Sequence, residues 1–267
     1  MKGLRLRYVS PVILMFLVAL PLSAQTWAIY DQFRGPLINP DLWFGGGTTN
    51  RDVLDYERQI QNGSLMLRIR SYGNHYIQDN QPNWAQNGLE VADPTGIIGI
   101  AAMLTVTRAI GNSCDSSGWL LGQMGLRATF FNSGEGNQID DVEGNLFMYP
   151  GGVDQPITVG GLTNSPRARS VPPYNLGSVS LGTVKIGETV RIWVRWDKPN
   201  KRIVYGLQHL FPLRPPIEMA VPYSIPDTLE PLYRYRVVML QTSPSNCISS
   251  RVYSDMVVKI DQVAVLR

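Results

Sequence analysis

Residues 55–72 read DYERQIQNGSLMLRIRSY, and the fold class follows from them. From Ser64 to Tyr72 the chain alternates: Leu65, Leu67 and Ile69 fall on one face, Met66, Arg68 and Arg70 on the other. A period of two marks a half-buried strand, because successive side chains of an extended chain point to opposite faces. Asn62-Gly63 suits a two-residue hairpin turn with positive φ at both positions, so Asp55–Gln61 is the predicted antiparallel partner. Asn62-Gly63-Ser64 also spells a glycosylation sequon, though the tight turn explains Asn-Gly at least as well.

The pattern continues outward in both directions. Gly96–Arg108, Gly125–Asn132, Glu143–Tyr149, Val179–Val184, Thr189–Trp196, Arg202–Leu207, Arg234–Thr242 and Ser254–Val265 read as strands, with Asp197–Lys201 as a hairpin turn. No helical period persists beyond a turn or two. Three segments read as long loops: Gly73–Asp93, which holds His75, Tyr76, Trp84 and Glu90, then Asn164–Tyr174 and Phe211–Pro231. With 267 residues, 44% hydrophobic and 17% charged, the chain can bury a sizeable core and is no disordered or coiled-coil sequence. The reading is a single all-β sandwich spanning residues 25–267.

Residues 1–24 are set apart as a signal peptide. Lys2, Arg5 and Arg7 form a basic start, Val12–Leu22 is apolar, and Leu22-Ser23-Ala24 ends in a small residue, with Ala28 as a second cleavage point. The product is expected to be secreted or periplasmic, with no membrane span after cleavage. The full-chain charge of +3 then disappears, because three of the 24 basic residues leave with the leader and 21 remain against 21 acidic ones. That balance removes any argument for nucleic-acid binding.

Export also favours oxidation of Cys114 and Cys247, the only two cysteines. A bridge between them would close a loop of about 134 residues and stabilise by roughly 4–5 kcal/mol on the chain-entropy model. Two buried thiols are the alternative. Zinc is improbable without clustered histidines.

Three stretches resemble concanavalin A-like lectin and glucanase domains: residues 30–43 (YDQFRGPLINPDLW), Thr189–Asp197 (TVRIWVRWD) with its following hairpin, and the closing Ser254–Val265 (SDMVVKIDQVAV). The resemblance covers both ends and the middle of the chain, and looks most like secreted bacterial members without assigned activity. It implies a jelly roll of two antiparallel sheets, one concave and able to hold a glycan. Chemistry does not follow from fold alone.

Laminarinase- and lichenase-type enzymes of that family carry Glu-x-Asp-x-x-Glu on a concave-face strand. The matching stretch here is Gln138–Glu143, QIDDVE. Asp140 and Glu143 stand at the assisting and acid/base positions, but Gln138 replaces the nucleophile, and a neutral amide cannot attack an anomeric carbon. Glu135, Asp141 or a carboxylate from another loop would have to supply the missing group. The competing reading is a loop of solvated acids. Alginate-lyase relatives use Gln-Ile-His, and Asp140 replaces that histidine. His75 and His209 are far apart in sequence and lie near no nucleophile motif.

Charge layout offers a further candidate. Residues 25–164 carry twice as many acidic as basic side chains, while residues 165–214 are strongly basic. Alternation puts Arg191, Trp193 and Arg195 on one face, with Val190, Ile192, Val194 and Trp196 on the other. Arg68/Arg70 and Arg234/Arg236 repeat the theme. Together on a concave sheet they would form a basic, aromatic trough for an anionic glycan; otherwise they pair with the acidic half and solvate a sheet surface. Trp84, Trp119 and Gln138 are further ligand-binding candidates, whereas Trp43 and Trp196 read as core anchors. The resemblance also implies a structural calcium at Asp261, with a buried hydrogen-bonded aspartate as the alternative.

The expected function is an exported, non-catalytic carbohydrate-binding or cell-surface interaction module. A glycoside hydrolase or polysaccharide lyase around Asp140 and Glu143 is the second reading, and an envelope protein that binds a protein partner the third.

Overall fold

A computed structural model describes residues 26–49, 54–72, 85–112, 122–134, 140–150, 155–165, 175–242 and 253–267. Residues 1–24, Trp84, Cys114, Trp119, Glu135, Gln138 and Cys247 lie outside the described residues. Fifteen strands are described: β1 (Trp27–Asp31), β2 (Trp43–Thr49), β3 (Leu54–Gln61), β4 (Ser64–Tyr72), β5 (Ala85–Val91), β6 (Gly99–Asn112), β7 (Gln123–Asn132) and β8 (Asp141–Pro150) come first. Then follow β9 (Ile157–Asn164), β10 (Asn175–Val184), β11 (Thr189–Asp197), β12 (Arg202–His209), β13 (Ile217–Pro222), β14 (Arg236–Thr242) and β15 (Tyr253–Leu266). They form two antiparallel sheets, an eight-stranded one in the order β13-β12-β11-β6-β15-β4-β3 with β1 beside β15, and a seven-stranded one ordered β10-β9-β8-β7-β14-β5-β2.

The deciding hairpin stands as read. Asn62 and Gly63 take φ of 52° and 73°, the paired positive values a type I′ turn needs. Leu65, Leu67 and Ile69 are fully buried between the sheets with Leu126, Leu146, Val238 and Leu240. Val190, Ile192 and Val194 are buried on the inner face of β11, as alternation requires. Trp43 anchors one end, packed on Tyr30 and Phe33, and Trp196 packs on Phe131. Ala28 pairs with Val265 inside β1, so cleavage after Ala28 would cut that strand, whereas cleavage after Ala24 leaves it whole.

Two segments read as loops contain strands: β5 lies within 73–93 and β13 within 211–231. In β5 the inward positions include Asn87, which is fully buried and donates to the carbonyls of Glu57 and Arg68 across the sandwich. A polar residue at a core position breaks the apolar alternation that sequence reading depends on. Strands β2 and β9, rich in glycine, escaped the same test. Gly161 in β9 is needed there: a Cβ would sit 2.4 Å from the Tyr205 ring, which crosses the core so that its hydroxyl and that of Thr163 share a 2.7 Å hydrogen bond.

Arg68 and Arg70 face outward on the eight-stranded sheet and clamp Asp255 on the neighbouring β15. Arg68 donates from Nε to Oδ1 at 3.0 Å, and Arg108 of β6 donates to Oδ2 at 2.9 Å. Burial by itself would raise the Asp255 pKa, but the bonds and charges of Arg68, Arg108 and Arg70 outweigh it and hold the carboxyl below its ordinary value. A depressed folded pKa contributes stability above the unfolded value near ~4 that is lost as pH falls through the folded one. Asp255→Asn should therefore cost about 2–3 kcal/mol at pH 7 and little at the acid end. Urea unfolding at pH 7 and pH 3 measures this; an equal cost at both would refute the clamp's electrostatic role.

Candidate functional site

The outer face of the seven-stranded sheet is built in rows. Leu162, Asn145, Arg127, Val237 and Glu90 lie in register across β9, β8, β7, β14 and β5, followed by Phe44 on β2. The next row is Gly160, Phe147, Gly125, Met239 and Gly88, in which three glycines keep the floor low. Gln123, Gln241 and Gln86 form a third row of amides. A low floor flanked by polar rows leaves a groove of about 290 Å³, lined by Gln86, Glu90, Arg127, Glu143, Tyr233, Tyr235, Val237 and Met239.

Its charged wall is a hydrogen-bonded ladder. Arg127 donates to Glu143 Oε2 at 3.0 Å and to Asn145 Oδ1 at 2.7 Å, and Asn145 donates onward to Asn164 at 2.7 Å. The guanidinium also lies 5.7 Å from the Tyr235 ring centroid. Across the groove, burial raises the pKa of Glu90. Tyr235 is pushed well above the ordinary phenol value, by burial first and then by the negative charge of Glu143, so it stays a protonated donor. Its hydroxyl lies near both Glu143 and Arg127.

The aromatic wall depends on a buried acid. Asp141 accepts from the backbone N–H of Leu232 at 2.9 Å, that of Tyr233 at 2.8 Å, and Asn132 Nδ2 at 2.8 Å. Thr129 adds two more ties, donating to the Tyr233 carbonyl and accepting from the Tyr235 N–H. Both tyrosines are thus stitched to β7 and β8, with ring centroids 5.6 Å apart.

The acids expected to be solvated are not: Asp140, Asp141 and Glu143 have 1%, 2% and 8% of their surface exposed. Of the two catalytic candidates, the groove takes in Glu143 and not Asp140, which is buried in the turn before β8. The second carboxylate in the groove is Glu90. Glu143 and Glu90 stand on strands three spacings apart, about 14 Å between backbones.

Arg191, Trp193 and Arg195 share a face as predicted, but on the eight-stranded sheet, away from this groove. Arg195 pairs with Glu218 at 3.4 Å and Trp193 Nε1 donates to Glu218 at 2.9 Å. Arg68 and Arg70 share that sheet but are spent on Asp255. Arg236 belongs to the seven-stranded sheet and turns inward. The single basic trough therefore does not form. His209 pairs with Glu188 at 2.5 Å.

The residues around Asp261 do not fit a calcium ion. Its carboxylate already accepts from Ser64 Oγ at 2.7 Å and pairs with the Lys259 ammonium at 3.0 Å. The β15 register shifts between Ile260 and Gln262, so Asp261 ties the start of β4 to a bulge. Among the described residues no three acidic, histidine or cysteine side chains cluster as a metal site.

Sequence reading missed Gln86, Tyr233 and Tyr235 as groove residues and noted Glu90 only as part of a loop. The outward Gln86-x-Gly88-x-Glu90 spacing was the available signal.

No family model and no curated protein matches the chain. Solved structures do match it. One is a glycoside hydrolase family protein from Mycobacterium thermorestibile, at 12% identity and TM-score 0.52, covering 88% of this chain and 98% of that one. Another is a beta-1,3-glucanase from Mycobacterium marinum, at 12% identity and TM-score 0.50, covering 90% and 98%. At such identities the likeness is one of fold, and the fold is the concanavalin A-like jelly-roll sandwich.

Proposed function

We propose that this concanavalin A-like sandwich is an exported module that recognises a glycan chain in the groove of its seven-stranded sheet. The observation that carries the reading is the groove's composition: two tyrosines, an ion-paired Arg127–Glu143 ladder, Glu90 and Gln86 above a floor lowered by glycines. A pyranose presents apolar C–H faces and a rim of hydroxyls. Tyrosine rings match the first, and charged or amide groups that both donate and accept match the second. The groove is lined by one cation, Arg127, against two carboxyl groups, Glu143 and Glu90, which favours a neutral saccharide here over the anionic one expected from the arginine pattern.

One feature favours hydrolysis as a second reading. Glu143 and Glu90 both line the groove, and burial raises the pKa of Glu90, as a general acid requires.

Export would place Cys114 and Cys247 in an oxidising compartment. The connections that carry them leave from adjacent strand ends: Asn112 of β6 pairs with Tyr253 of β15, and Gln123 of β7 with Gln241 of β14. That proximity supports the disulfide.

Calorimetric titration with laminarihexaose, chosen because a structural neighbour is described as a beta-1,3-glucanase, tests the reading. Tyr235→Ala should weaken binding about ten-fold or more and Tyr235→Phe by a smaller factor. Wild-type affinity in Tyr235→Ala would overturn the groove assignment. Release of reducing ends that disappears in both Glu90→Gln and Glu143→Gln would establish hydrolysis.

A further inference from the structure

On the opposite side of the molecule, the outer face of the eight-stranded sheet carries a second groove, of about 320 Å³. Trp27, Ala101, Met103, Arg191, Gln208 and Gln262 contribute to its lining. Glu218, Gly206, Trp193, Ala101, Ala264 and Ile29 form one row across this face. The small residues have a clear purpose. A Cβ at Gly206 would fall 1.8 Å from the Trp193 ring, so the indole lies flat on the sheet, its Nε1 fixed by Glu218. Ala101 and Ala264 extend that low floor, and Trp27 packs against it.

The adjacent row is Gln208, Arg191, Met103 and Gln262. The Arg191 guanidinium lies 5.5 Å from the Trp27 ring centroid and 5.9 Å from that of Trp193. Neighbouring arginines on the outer face of this sheet have carboxylate partners: Arg195 has Glu218, Arg202 has Asp197, Arg68 has Glu57 and Asp255, Arg70 has Asp55 and Asp255, and Arg108 has Asp255. Arg191 meets no carboxylate among the described residues, and burial alone lowers its pKa. Two indole faces stabilise a cation from the side but leave the in-plane N–H donors of its edge unmatched.

We propose that this groove binds an acidic saccharide, with a carboxylate or sulfate oxyanion paired to Arg191. A planar guanidinium answers two oxygens of such a group with parallel hydrogen bonds. The amides of Gln208 and Gln262 stand in the same row to meet ring hydroxyls, and Ala101, Ala264 and Met103 give the C–H face an apolar floor. The site is independent of the first groove, since the two occupy the outer faces of different sheets.

Intrinsic fluorescence tests it, because Trp27 and Trp193 both flank the guanidinium. The probes are trigalacturonate, a heparin-derived sulfated disaccharide and neutral laminaritriose, added to the chain comprising residues 25–267. A saturable change with either acidic probe is expected, and which of the two responds identifies carboxylate or sulfate as the group bound. Arg191→Gln should weaken that response about ten-fold or more, with Tyr235→Phe leaving it unchanged. If Arg191→Gln does not fold, Arg191→Lys, which keeps the charge but loses the fork, should still weaken binding. Undiminished affinity in whichever variant folds, an equal response to laminaritriose, or no saturable response to either acid would overturn the proposal.

Discussion

Asp141→Ala is expected to destabilise the protein by about 3–5 kcal/mol and to abolish saccharide binding in the first groove. The carboxylate is 2% exposed and satisfies three donors: two backbone N–H groups, of Leu232 and Tyr233, and the Asn132 side chain. Removing it strands those donors, and each hydrogen bond to a buried charge contributes about 1.5–3 kcal/mol. The functional loss has the same cause, because the segment released is the one that sets Tyr233 and Tyr235. Asp141→Asn should fall between, since an amide keeps one acceptor oxygen but turns an N–H₂ toward a donor. Denaturant midpoints and the laminarihexaose titration measure the two effects; unaltered binding by a folded Asp141→Ala protein would separate Asp141 from the groove.

Arg236→Met should cost about as much stability, by a different route. Arg236 is 4% exposed and donates to the carbonyls of Ile97, Thr129 and Tyr235, with its guanidinium 5.1 Å from the Phe130 ring centroid. Burial pushes its pKa down to about 9, which still leaves a cation at neutral pH. No carboxylate is among these partners. The charge is dispersed over three carbonyl dipoles, and methionine would fill the volume while leaving all three unmet. A loss of about 3–5 kcal/mol follows, read from urea unfolding. A loss under about 1 kcal/mol would mean that water replaces the guanidinium.

These two residues also show how far the sequence could be read. Alternation in SLMLRIRSY and TVRIWVRWD assigned inner and outer faces correctly, because the inner positions Leu65, Leu67, Ile69, Val190, Ile192 and Val194 are apolar. It failed in β5, where the inner Asn87 bonds across the sandwich, and in β2 and β9, where glycines carry no hydropathic signal. Arg191, Trp193 and Arg195 were rightly placed on one face. Which sheet that face belonged to was not legible, since strand partnership is a long-range property. Within QIDDVE, Glu143 lines the groove, while Asp141, weighed only as a substitute catalyst, holds the aromatic wall. Tyr235 lies within the strand read at Arg234–Thr242 and Tyr233 just before it, but their place in the groove is set by the long-range contacts of Asp141 and Thr129.

The central claim is that the groove of the seven-stranded sheet recognises a glycan. A glycan array probed with residues 25–267, wild type beside Tyr235→Ala, tests it most directly. The account predicts saturable binding by the wild type to one class of neutral glycan, lost or sharply reduced in the variant, with binding of acidic glycans the same in both. A blank array, or identical profiles for the two proteins, would contradict it.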